Sequence, residues 1–124
     1  MSASADAAEQ RRVEAVVRAY LQALLEHDYT RACEGLSDAV RRDMQAFAGE
    51  AFPELESPDC ADALERLLAD ADQRELERSL SDVKVTGVEI EGDRATVRLE
   101  GAAEAPRLRR FGDAWKISRV AVSG

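Results

Sequence analysis

One histidine, two cysteines and two lysines among 124 residues leave little equipment for several kinds of chemistry. Cys33, Cys60 and a distant His27 are too few to hold a tetrahedral metal ion. A histidine-based triad would rest on His27 alone, and His27 has a structural role at hand, as a cation near the end of a helix. The seven glycines stand singly, so there is no phosphate-cradling loop, dinucleotide fingerprint or nucleophile elbow. No apolar run approaches the roughly 20 residues of a membrane span, and the opening MSASADAAEQ lacks the apolar core of a secretory leader. Positive charge is scarce too: 17 Lys and Arg against 25 Asp and Glu give a net charge of −8, which argues against a general nucleic-acid binder.

What is present describes one folded domain over residues 1–124, with 1–7 expected to be a flexible arm. The chain is 45% apolar and 34% charged, too apolar for an obligately disordered segment. Charge is unevenly placed. Residues 1–82 carry 19 acidic and 9 basic side chains, whereas 83–124 carry 6 and 8.

Between Ala8 and Asp28, Val13, Val16, Val17, Tyr20, Leu21 and Leu24 recur at steps of three and four, which predicts an amphipathic helix with Glu9, Arg11, Arg12, Glu14 and Arg18 on its solvated face. Asp28 then reads as the cap of a short helix that Gly35 ends. Ser37 caps a third helical segment, Asp38 to about Phe52, closed by Pro53, although its short apolar runs also fit a hairpin over 38–56. Ser57 and Pro58 read as the cap and first residue of a fourth helix carrying Cys60, Leu64, Leu67 and Leu68 inward. Residues 70–82 predict a short exposed helix.

At Val83 the apolar period changes from 3.6 to 2. Val83, Val85, Val88 and Ile90 predict a strand bulged at Thr86 and Gly87; Ala95, Val97 and Leu99 its partner; residues 105–111 a third; and Trp115, Ile117, Val120 and Val122 a fourth, broken near Ser118 and Arg119. Turns fall at 91–93 and 112–114. Helices first and strands after predict an α+β fold: N-terminal helices on one face of a curved antiparallel sheet of about four strands.

The helix VVRAYLQALLEHDYTRACEGLS, the hairpin VEIEGDRATVRLEG and the closing RRFGDAWKISRV together resemble the nuclear transport factor two-like superfamily, the cystatin-like cone shared with ketosteroid isomerases and polyketide cyclase-like proteins. The resemblance rests on the spacing of Tyr20, Leu21, Ala23, Leu24 and Asp28 and on the turn Gly112 to Ile117, both explained by packing. With helix where larger members place a hairpin, the chain is similar to compact bacterial members that have a cysteine in the second helix and another at the start of the third long one. Such members are often exported or membrane-tethered.

From the residues alone, Cys33 and Cys60 are either two small buried apolar side chains or a disulfide; the resemblance implies the disulfide. Location follows the same alternative, cytoplasmic if the chain is complete as given and extracytoplasmic if a leader was removed and Cys33 pairs with Cys60. The resemblance further implies a conical cavity lined by Tyr20, Met44, Phe47 and Trp115, holding a small apolar ligand or filled by side chains. Tyr20 stands where ketosteroid isomerases have a catalytic tyrosine, and Asp43, bordering the inward face of the third helix, is the nearest substitute for their carboxylate base. Two functions result: a non-catalytic ligand-binding or interaction domain, or a cofactor-free acid-base enzyme of isomerase, dehydratase or cyclase type. Almost entirely apolar inward positions favour the first. If Ala95, Val97 and Leu99 face the helices, then Arg94 and Arg98 face away, joined by Arg107 and Arg109 and by Lys84 and Lys116. That basic surface fits an acidic partner, the acidic half of another copy, or the homodimer that related folds form through their sheets.

Overall fold

The computed structural model describes residues 3–100 and 105–119; the expected strand residues Val120 and Val122 lie outside them. Five helices precede four strands: α1 (Ala3–Leu25), α2 (Tyr29–Glu34), α3 (Asp38–Ala51), α4 (Cys60–Ala69), α5 (Gln73–Ser81), β1 (Lys84–Glu91), β2 (Arg94–Glu100), β3 (Arg107–Phe111) and β4 (Ala114–Arg119). The strands form one antiparallel meander in the order β1-β2-β3-β4, so the α+β expectation holds. Among the described residues, no helix is long and apolar enough to cross a membrane.

Helix α1 begins at Ala3, not Ala8, because its alanine-rich start has high helix propensity and needs no apolar stripe. It ends at Leu25, three residues before the expected limit. His27 takes a left-handed conformation (φ 59°) and the Asp28 N–H donates back to the Ala23 carbonyl at 2.8 Å, closing the helix. Asp28 is free to cap α2 and accepts from the Arg31 N–H at 3.2 Å.

Residues 38–51 are helix, with Ser37 accepting from the Val40 N–H at 3.3 Å, so the hairpin alternative is excluded. The start of α4 differs from expectation. Asp59 is the cap, accepting from the Asp62 N–H at 2.8 Å, whereas Ser57 sits in the left-handed region (φ 49°) and Pro58 precedes the helix. A carboxylate beside the first turn also complements the helix dipole, which a serine hydroxyl does not.

Both hairpins turn over a glycine of positive φ, Gly92 at 60° and Gly112 at 63°, at the first position of a two-residue loop. Thr86 is the extra residue of a bulge between Val85 and Gly87, and Ser118 that of a second opposite Arg107 and Leu108, as the broken alternation predicts. One face of the sheet meets α1, with α3 against β4 at its edge. Val13, Val17, Ala32, Leu36, Val97, Leu108 and Ile117 there are at most 2% exposed.

Among the described residues, no fifth strand lies beside β4. Instead its edge is taken by the link between α2 and α3: Ile117 N–H donates to the Gly35 carbonyl at 2.7 Å and Ser37 N–H to the Ile117 carbonyl at 2.8 Å. The same link carries Leu36, fully buried, into the core.

Cys33 near the end of α2 and Cys60 at the start of α4 are disulfide-bonded, their Cα atoms 6.1 Å apart and 27 residues apart in sequence. Helix α4 packs on α2 and α3. The crosslink therefore fastens the α3–α4 pair to the rest of the helical layer. Closing a loop of this length contributes about 3.5 kcal/mol on chain-entropy arithmetic. The Cys33→Ser/Cys60→Ser double variant is expected to fold with an unfolding free energy lower by about that amount, measured by denaturant titration; an unchanged midpoint would show that the bond restrains nothing.

Candidate functional site

The four side chains expected to line a cavity do not do so together. Tyr20 and Trp115 are core residues, 8% and 4% exposed, and Met44 packs against the same core from α3. Phe47, one turn further along α3, is 57% exposed. The reason lies in the course of the helix, which packs on α4 and the edge strand β4, so that Val40 and Met44 reach the core while Phe47 does not. Of five surface depressions formed by described residues, none is lined by Tyr20, Met44, Phe47 or Trp115. Between α1 and the sheet lie the buried side chains of Val13, Val17, Tyr20, Val97, Leu108 and Ile117.

Trp115 finds its partner in Glu9, whose carboxylate accepts from the indole N–H. Glu9 thus does not sit on the solvated face of α1 as its helical position predicts. Burying an indole makes an acceptor for its N–H valuable, and Glu9 is within reach. The Arg110 guanidinium, 3.8 Å from the same carboxylate and 5.8 Å from the indole centroid, completes the contact.

The paired groups of an acid-base mechanism are also separated by environment. Burial alone pushes the Tyr20 hydroxyl up to about 12, with no neighbouring charge contributing. Asp43, by contrast, lies exposed on α3 and not in a desolvated cavity. Among the described residues no group of His, Cys, Asp and Glu is arranged to hold a metal ion.

Two surfaces stand out. One is a depression of about 570 Å³ that lies over the disulfide and is flanked by Thr30, Arg41, Arg42 and Gln45, with Asp38 pairing Arg41. Glu34 and Asp59 also border it, so its charge is mixed. The second surface is the outer face of the sheet. Arg94, Arg98, Arg107 and Arg109 all project there, as alternation predicts, opposite the buried Ala95, Val97 and Leu108. Arg98 pairs with Glu89, and the Arg109 Nε is 3.8 Å from Asp93.

Three further residues join this face that the search for basic side chains passed over or alternation misplaced. Thr96 lies between Arg94 and Arg98 and was hidden by its lack of charge. Arg119 is carried outward because Ser118 is bulged, which puts Arg119 opposite Arg107. Phe111, at the end of β3, is 50% exposed beside Arg109. Lys116 is turned to the edge, its Nζ donating to the Glu34 carbonyl at 2.6 Å.

No family model matches the chain, and no curated protein or solved structure matches it either. Its chemistry has to be read from its own surfaces.

The raised Tyr20 value has a sign that experiment can read. An unfolded tyrosine ionises near 10, so the folded chain holds this proton more tightly. Stability from that preference is full below about pH 10 and is lost as pH rises toward about 12. Between those values Tyr20→Phe is expected to lose about 2 to 3 kcal/mol less than the parent chain, compared by denaturant titration; parallel losses would mean that the hydroxyl is hydrated.

Proposed function

We propose that the chain is a non-catalytic interaction domain of nuclear transport factor two-like type, and that its working surface is the outer face of the sheet. The filled interior carries this reading. An acid-base enzyme of this class needs an open pocket with a positioned base, and Tyr20 is packed into the core while Asp43 stands in solvent. The small-ligand alternative meets the same obstacle, because the residues that would line its pocket pack against one another or, like Phe47, face outward.

The outer sheet face has what an interaction surface needs. It combines several arginines with a half-exposed phenylalanine, and arginine and aromatic side chains are enriched at protein interfaces. The hairpin register and the strapped β4 edge set the rows from which its side chains project. A second copy of the chain is the occupant that the family resemblance implies for this face.

Native mass spectrometry of the chain purified from its own host separates the readings. The expected spectrum has the bare chain mass, alone or with a protein partner; a stoichiometric small apolar ligand would overturn the interaction reading.

A further inference from the structure

The register of the sheet places like charges opposite one another. Arg94 faces Arg109, Arg109 faces Lys116, and Arg107 faces Arg119. Directly opposed like charges weaken a sheet. Three such juxtapositions on adjoining strands concentrate positive potential that the fold relieves only in part, through Asp93 beside Arg109 and the Glu34 carbonyl on Lys116. Glu91 stands across the hairpin from Arg94, yet among the described residues Arg94, Arg107 and Arg119 form no ion pair.

Within this patch lies a depression of about 280 Å³ lined by Thr96, Ala105, Arg107 and Arg119. Its chemistry is that of an oxyanion seat: two guanidinium forks, a hydroxyl donor and a small wall residue. Beyond Arg109, Phe111 offers an apolar contact.

Resting on the interaction-domain reading, we infer that the outer sheet face binds an acidic segment of a partner protein, a carboxylate seating between Arg107 and Arg119. A symmetric second copy fits less well, because a two-fold interface sets a patch against itself and would bring these arginines together. A nucleic acid or anionic membrane presents an extended polyanion to a chain of net charge −8. A short acidic segment meets mainly the local patch, since charges beyond about 8 Å are screened at physiological salt.

The test is an amide-resolved NMR titration with a short synthetic peptide of glutamates and one leucine. Shifts are expected at Thr96, Arg107 and Arg119, and Arg107→Glu should weaken binding by about tenfold or more. The same substitution puts a carboxylate opposite Arg119, so the melting temperature should rise by about 2 °C. Arg78→Glu on α5, which changes net charge equally, should leave binding unchanged. Equal weakening by both variants, or shifts scattered over the surface, would overturn the site. If the peptide fails to bind but light scattering finds a dimer that Arg107→Glu disrupts, the acidic-segment inference falls and the interaction reading stands. A bound apolar ligand in native mass spectrometry would instead remove the interaction reading itself.

Discussion

Two backbone hydrogen bonds hold the architecture in register, those by which the Gly35–Ser37 link pairs with Ile117 on the edge of β4. They satisfy polar groups that an edge strand otherwise exposes. They also set the level at which Leu36 enters the core and the point from which α3 departs. Because Cys33 lies just before this link, the α2 end is held where Cys60 can meet it. Loss of the strap would leave the β4 edge open and the helical layer tied to the sheet only through the side-chain packing of α1 and α3.

From that constraint follows the division of the molecule into a closed side and an open side. The helices cover one face of the sheet, where Tyr20, Leu36, Leu108, Trp115 and Ile117 fill the interior. Among the described residues nothing covers the opposite face, and it holds arginines in rows fixed by strand pairing. A filled interior disfavours chemistry on a sequestered ligand, while the uncovered face retains a like-charge arrangement that costs stability. Folds that keep such a cost generally do so where a function uses it.

Much of this was legible in the sequence. The shift of period at Val83 separated helices from strands, and Gly92 and Gly112 marked both hairpins because only a residue tolerant of positive φ suits those loop positions. Even the bulges showed, since Thr86 and Ser118 break the alternation that their neighbours keep. Helix starts were less legible. Ser57–Pro58 reads as the start of α4, whereas Asp59 is the cap, because the backbone at Ser57 takes a positive φ.

Residue types and their periods determined the class of fold and the main buried stripe of α1 and of the strands, because those depend on local pattern. Tertiary structure decided the rest. Whether Phe47 lined a cavity or met solvent depended on where α3 leaves the core, and whether Glu9 was solvated depended on an indole 106 residues away in sequence. The joining of Arg107 with Arg119 depended on a bulge and a strand register, which are properties of paired strands and not of either strand alone.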